Sequence, residues 1–174
     1  GPGQTFTYAW RINDAGQMNG YWFEDPFFIR SFRRASNGTL TTNLFAGSPV
    51  GTVTRGMNEA GDTAGWKWDA NFTLQGVVFA GGATNVFTVA GWQHTLPGDI
   101  NNLGDIAGTV NNGFTNTAGF FRRASGETVV FRPPGAVEVE VFGLNDLGQV
   151  VGEYADASGK RHGFIAQPAS GLSA

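Results

Sequence analysis

The chain has 174 residues, of which 41% are hydrophobic and only 14% charged, so it can bury a sizeable core and is not a disordered chain. A net charge of −3 argues against nucleic acid as a partner. No segment reaches the ~20 apolar residues of a membrane-spanning helix, and the absence of cysteine excludes disulfides, thiolate metal sites and a cysteine nucleophile.

Glycine and aromatic residues shape the predicted elements. The 27 glycines, 15 phenylalanines and 5 tryptophans favour short strands joined by tight turns, and the glycines interrupt every window that a long helix would need. The first predicted element is a strand over residues 5–11. It leads into a motif of one apolar residue, Asn, two variable residues and Gly, which suits the left-handed backbone of a short hairpin turn.

This motif occurs four times at nearly constant spacing. Its asparagines lie 45, 43 and 44 residues apart, and such a period marks a repeat architecture in which each unit buries its apolar face against its neighbours. A residue that every unit shares is therefore expected to serve folding, and chemistry is expected where the units differ. The motifs begin near Ile12, Met57, Ile100 and Leu144.

A strand follows each turn and carries a glycine seven residues after the asparagine. Glycine inside a strand indicates a bend or the close approach of another backbone. Further short strands follow, so that a unit holds about four strands, the content of one propeller blade. The shared glycines are Gly20, Gly65, Gly108 and Gly152.

We therefore predict a single all-β, β-propeller-like repeat domain over residues 1–174, with four repeats of about 44 residues. The strand over residues 5–11 matches the last strand of a unit, and the fourth unit ends without one. The N-terminal strand is thus predicted to complete the last blade and to close a four-bladed ring, which would remove exposed sheet edges. Half of an eight-bladed dimeric ring and an open stack are the alternatives, so we expect a monomer or a homodimer.

The fourth unit carries the turn and its strand over residues 144–152, followed by His162-Gly163-Phe164-Ile165. This pattern resembles the HAF repeats, a bacterial extracellular family named after a His-Ala-Phe strand. The other units keep the asparagine turn but lose the histidine. The resemblance covers essentially the whole chain and implies a secreted or cell-surface protein, although no signal peptide is recognisable. It implies no catalytic residue.

In each unit, the glycine-bearing strand ends in a turn that an Asp or Asn opens. Ring closure would place the four side chains around one axis, where they would hold a cation or water at the channel mouth. The alternative, which we favour, is an Asx turn whose side chain accepts local backbone hydrogen bonds. The four residues are Asp25, Asp69, Asn112 and Asp156.

Acidic residues near the asparagine turns offer a second place for a cation. Calcium takes six to eight oxygen ligands, whereas each turn supplies only one or two carboxylates. We therefore interpret these turns as plain hairpin connections and expect no cofactor, with a structural cation such as calcium as the alternative.

Two tryptophans stand out because their positions differ between units. Strand alternation places Trp66 and Trp68 on one face, next to Asp69. An exposed tryptophan pair beside a carboxylate suits stacking against a sugar, and packing between blades is the preferred alternative.

Catalysis has little support in the sequence. His94 and His162 are not repeat-equivalent, and neither a nucleophile elbow nor a zinc-binding His-Glu-x-x-His motif occurs. We predict a secreted or surface-exposed, non-catalytic binding or scaffold module for an unknown protein or glycan, without nucleic acid or membrane insertion. A lectin-like propeller and an extracellular hydrolase are the alternatives. The candidate binding residues are Trp66, Trp68, Asp69, Asp25, Asn112 and Asp156.

Overall fold

The computed structural model describes residues 6–25, 28–43, 45, 47–113 and 116–168. Within these ranges the chain forms four antiparallel sheets, and in each of them the strands are neighbours in chain order. The first sheet holds β1 (Thr7–Ile12), β2 (Met18–Asp25), β3 (Phe28–Arg34) and β4 (Leu40–Asn43), and the second holds β5 (Thr52–Met57), β6 (Thr63–Trp68), β7 (Leu74–Ala80) and β8 (Ala83–Phe87). The third holds β9 (His94–Ile100), β10 (Ile106–Asn111), β11 (Thr117–Arg122) and β12 (Thr128–Phe131), and the fourth holds β13 (Ala136–Leu144), β14 (Val150–Asp156) and β15 (Arg161–Ala166).

The predicted all-β architecture of four repeated sheets is confirmed, whereas the predicted closure is wrong. The N-terminal strand does not complete the last blade, because β1 pairs with β2 from Thr7↔Trp22 to Ile12↔Met18. The fourth sheet has three strands in the described part of the chain. The short turn between β1 and β2 favours this local hairpin, since its loop-closure cost is far smaller than that of joining the two ends of the chain. The molecule is therefore a set of four open sheets.

The asparagine of each turn holds its own hairpin together and also joins the sheets. Its Oδ1 accepts a hydrogen bond from the backbone N–H four residues on, at 2.8–2.9 Å. Its side-chain amide donates to the backbone carbonyl of the corresponding asparagine in the next sheet. This series, here called the turn ladder, runs from Asn13 to Asn58 (3.2 Å), from Asn58 to Asn101 (3.2 Å) and from Asn101 to Asn145 (3.1 Å).

A parallel series of bonds joins the residues that follow these asparagines. Each donates its backbone N–H to the side chain of its counterpart in the next sheet, so that both series point from the first sheet towards the fourth. These bonds run from Asp14 to Glu59 (3.0 Å), from Glu59 to Asn102 (2.9 Å) and from Asn102 to Asp146 (2.8 Å).

The shared glycines allow the first two strands of each sheet to approach closely. A Cβ at any of these positions would lie 1.9–2.3 Å from a backbone carbonyl oxygen of the first strand. In every sheet the pairing register also shifts at this point, which leaves one bulged residue in the first strand. The glycine and the bulge together form one structural device, repeated four times.

The core consists of layers between successive sheets. Ala64 and Val78 of the second sheet pack against Ile106 and Phe120 of the third, and the layer between the third and fourth sheets includes Phe121, Val139, Val141 and Val150. Among the described residues, no helix is long and apolar enough to cross a membrane.

Candidate functional site: an axial groove

The four bulged residues come from equivalent positions, three residues before the asparagine of each turn. A bulge re-aims its side chain out of the regular alternation. All four line one cavity on the axis where the first strands converge, together with Arg11 and Val141. The bulged residues are Trp10, Arg55, Gly98 and Phe142.

This axial cavity adjoins a second one of about 250 Å³, with which it shares Arg55, Gly98 and Val141. The neighbouring cavity has a mixed wall, in which Leu96 and Val139 lie beside Thr109, Asn111 and Thr117. We refer to the two cavities together as the axial groove. Its size and polarity suit a small hydrogen-bonding ligand.

The guanidinium of Arg55 in the axial groove lies over two indole rings. Its guanidinium carbon lies 4.6 Å from the ring centroid of Trp10 and 4.9 Å from that of Trp66. Each such cation–π contact contributes about 0.5–2 kcal/mol, depending on how far the site is desolvated. Contacts with two rings restrict the movement of the guanidinium.

The hydrogen-bonding capacity of Arg55 is largely unused. Its buried Nε has no hydrogen-bond partner, and its Nη1 lies 3.6 Å from Oε1 of Glu140, which is an ion pair but too long for a hydrogen bond. Its guanidinium makes no hydrogen bond to any residue that the structure describes. A buried donor without a partner costs about 1–3 kcal/mol, which a water, an ion or a ligand that accepts from it would offset.

The second cation of the axial groove, Arg161, is already engaged by acids. It forms ion pairs with Glu138 at 3.4 Å and with Glu153 at 2.5 Å. Because Arg161 is held by two carboxylates and Arg55 by one distant carboxylate, Arg55 is the cation available to a ligand.

An ion pair with Asp99 engages Arg11, which also lines the axial groove. Nη2 of Arg11 lies 2.8 Å from Oδ2 of Asp99 and also donates to the carbonyl of Phe142 at 3.0 Å. Burial raises the pKa of the Asp99 carboxyl, although Arg11 and the backbone N–H groups of Leu144 and Ile100 act to lower it. This pair connects the first, third and fourth sheets and has a structural role.

The structure places the two predicted tryptophans in the packing layer next to the groove. Trp66 is only 8% exposed and packs with Ile29 and Val53, with Trp68 partly buried at the edge of the same cluster. The guanidinium of Arg55 covers one face of the Trp66 ring. Trp66 therefore contributes to the groove as a support for Arg55.

The predicted ring residues close local turns. Oδ1 of Asp69 accepts the N–H groups of Asn71 and Thr73 at 2.9 Å, and Oδ1 of Asp156 accepts those of Ser158 and Lys160. Hydrogen bonds from Ser158 and His162 lower the pKa of the Asp156 carboxyl well below its usual range.

The remaining two ring residues bring no further metal ligands together among the described side chains. Asn112 binds the preceding loop, accepting from the N–H of Gln93 and donating to the carbonyl of Gly91. The side chain of Asp25 lies outside the described part of the structure. Among the residues described, no group of three or more His, Asp or Glu side chains comes close enough to hold a metal ion.

Both histidines make polar contacts that join parts of the fold. Nδ1 of His94 accepts the N–H of Leu74 at 3.0 Å. Nε2 of His162 lies 2.7 Å from Oδ2 of Asp156, and the hydroxyl of Ser158 donates to the other oxygen of that carboxylate. A hydrolytic triad needs the histidine between the serine and the acid, whereas here the acid lies between the other two.

Sequence reasoning missed Trp10, Arg55 and Phe142. Their common signal is their place in the repeat, since they stand three residues before the turn asparagine and differ in every unit. The difference between units that marks the axial groove therefore lies in the strand before the turn, whereas Trp66 and Trp68 lie in the strand after it.

Comparison with known proteins identifies similar folds among solved structures. No family model and no curated protein matches the chain. A streptogramin B lyase structure superposes with a TM-score of 0.54 at 12% identity, covering 91% of this chain and 54% of the lyase. A virginiamycin B lyase from Staphylococcus aureus gives 0.52 at 14%, covering 91% and 55%. A catalytically inactive variant of that enzyme with quinupristin gives 0.52 at 13%, covering 92% and 56%.

The chain thus spans just over half the length of these propeller-like proteins. At such identities the likeness shows the fold alone, and the chemistry of the lyases does not follow from it.

Proposed function

We propose that the chain is a non-catalytic binding module of propeller-like fold, and that its axial groove binds the carboxylate group of a small ligand. The observation that carries the proposal is Arg55, whose guanidinium lies over the rings of Trp10 and Trp66 while its donors remain without hydrogen-bond partners among the described residues. A planar guanidinium edge matches a carboxylate with two parallel hydrogen bonds.

Glu140 sets the strength of this proposed site. Its carboxylate lies 3.6 Å from Arg55, too far for a strong hydrogen bond but close enough to repel an incoming anion. A ligand carboxylate would therefore compete with Glu140 for the guanidinium. Removing the charge of Glu140 should strengthen binding, which distinguishes this site from general attraction of anions to surface arginines.

A binding role agrees with the groove better than a lyase or hydrolase role does. Neither His94 nor His162 lines the axial groove, and both are engaged elsewhere. The groove contains glutamates beside arginines, and these glutamates are already engaged in ion pairs.

The test is a calorimetric titration with succinate, using succinamide as the uncharged control ligand. We expect succinate to bind and succinamide not to bind. Arg55→Lys should weaken succinate binding roughly tenfold, because lysine loses the planar fork, and Glu140→Gln should tighten it. Arg123→Lys is the matched control, since Arg123 has similar exposure and a similar long ion pair outside the groove. Equal affinities of the Arg55 and Arg123 variants would contradict the proposal.

A further inference from the structure

The turn ladder is directional and has two unused ends. At Asn145 the side-chain amide donates to Gln149, whereas the same group in Asn13 donates to its own Gln17 and also to Asn58 in the next sheet. The fourth sheet thus presents a donor without its usual acceptor among the described residues. The first sheet presents the opposite: the carbonyl of Asn13 accepts only within its own turn.

The second series of bonds ends in the same way. The backbone N–H of Asp146 makes no hydrogen bond to a described residue, although its equivalents in the first three sheets all donate to the following sheet. The carboxylate of Asp14 accepts no hydrogen bond from a described residue, although the equivalent side chains of the other three sheets all accept from the preceding sheet. The donor end and the acceptor end are therefore complementary.

The side chains of the two end faces are more exposed than their repeat equivalents. On the fourth sheet Val151 is 42% exposed, whereas Ala64 and Ala107 at the same position are fully buried. Ile165 pairs with Val151 and is 75% exposed, whereas the equivalent Phe121 is fully buried. Both residues occupy the face that each earlier sheet packs against the following one.

The first sheet exposes an apolar residue on the opposite face, the face with which a later sheet packs against the sheet before it. Ile12 is 70% exposed, whereas its equivalents Met57 and Ile100 are 8% and 3% exposed. The two end faces are thus the two halves of the interface that already occurs between successive sheets inside the chain.

We propose that a second copy of this chain docks head to tail, with its first sheet against the fourth sheet of its neighbour. Asn145 would donate to the Asn13 carbonyl of the second copy, and the N–H of Asp146 to the Asp14 carboxylate. The four sheets superpose on just over half of the neighbouring propeller chains, so an arc of this curvature leaves room for about as many sheets again. Two reciprocal contacts would then close an eight-sheet ring.

Sedimentation velocity over a range of protein concentrations tests this proposal. We expect a dimer of 36.8 kDa, twice the 18.4 kDa of the chain. Val151→Glu should give a monomer, because it places a charge in the contact. The matched control is Val86→Glu, since Val86 is equally exposed but lies on β8, away from both end faces. A wild-type monomer at every concentration, or equal association of the two variants, would overturn the proposal.

Mixing two variants distinguishes this contact from one between identical faces. Ile12→Glu disables only the first-sheet end and Val151→Glu only the fourth-sheet end, so each variant alone should be monomeric. A one-to-one mixture retains one intact contact and should recover a heterodimer. If either variant dimerises alone, or if the mixture remains monomeric although the wild type dimerises, the head-to-tail arrangement is wrong. Open polymers of the wild type would overturn the ring closure.

Discussion

At the scale of single residues, the turn asparagine shows how a short motif can encode both a turn and an interface. Its Oδ1 replaces a backbone acceptor inside the hairpin, and its amide reaches the next sheet. Asparagine alone combines these functions at this length, since aspartate lacks the donor and serine lacks the second polar atom. This dual demand explains why the residue occurs in the first three units, while in the fourth unit Asn145 holds its own turn.

This dual role predicts a difference between two otherwise matched substitutions. Asn13→Asp and Asn145→Asp both keep the acceptor of the turn, and both have a glutamine four residues on. Asn13→Asp should lower the free energy of unfolding by about 1–3 kcal/mol, because the bonds to the second sheet are lost. Asn145→Asp should cost less than about 0.5 kcal/mol in the monomer. Urea denaturation of both variants measures this difference, and equal losses would contradict the inter-sheet role.

Asp99 predicts a pH dependence of stability. Burial raises the pKa of its carboxyl above the ordinary value of 3.8, so the folded state binds the proton more tightly than the unfolded state does. The contribution of this group to stability is thus fully present below pH 3.8 and is lost as the pH rises through the raised pKa. The stability of the wild type relative to Asp99→Asn should therefore increase as the pH is lowered from neutral.

Asp146 should show the opposite pH dependence of stability and therefore serves as the control for Asp99. Hydrogen bonds from Asn102 lower the pKa of its carboxyl, so its contribution is present above the unfolded pKa and is lost as the pH falls through the folded one. The stability of the wild type relative to Asp146→Asn should therefore decrease on acidification. Urea unfolding at several pH values measures both slopes, and slopes of the same sign would contradict the assignment.

At the scale of elements, the bulge and its opposing glycine position the axial groove. The extra residue in each first strand lies at the axis, with a side chain in three sheets and with Gly98 in the third, and the opposing glycine makes room for the displaced backbone. The fold therefore holds four equivalent positions around one axis while leaving their side chains free to vary. Arg55 and Trp10 occupy two of them.

Substitutions of two glycines in the fourth sheet test whether the first two strands need this close approach. A Cβ on Gly152 would lie 2.1 Å from the carbonyl oxygen of Glu140, whereas a Cβ on Gly163 would have no neighbour closer than 4.0 Å. Gly152→Ala should therefore destabilise the protein by about 2–4 kcal/mol or prevent folding, by forcing the backbones apart. Gly163→Ala should change stability by no more than about 0.5 kcal/mol. Comparable melting temperatures for the two variants would contradict a close approach at Gly152.

Much of the fold is predictable from the sequence because its determinants are local. The Asn-x-x-Gly turn and the strand glycine are contiguous and repeated, so their spacing identifies the units. The sheet to which residues 5–11 belong depends on a competition between a local hairpin and a distant closure, which the repeat pattern alone does not resolve. Arg55 and Trp10 occur once each, and only the bulge brings them together, so no repeated signal marks them.

At the scale of the whole molecule, the four sheets form an open arc whose two ends differ. The inner strands converge on the axis, where Arg11 joins the first sheet to the third and fourth. The outer faces of the first and last sheets remain exposed. An open arc gives the axial groove access to solvent and leaves both ends free for further sheets.

The most direct test of the proposed binding site is an NMR titration of ¹⁵N-labelled protein with succinate, observed through the arginine Nε–H cross-peaks. One cross-peak, absent in Arg55→Lys, should be displaced in the free protein by the ring currents of Trp10 and Trp66 and should move on addition of succinate. Movement of that signal with the ligand is the result that the account predicts. A stationary Arg55 signal, or movement confined to other arginines, would show that the axial groove is not a carboxylate site.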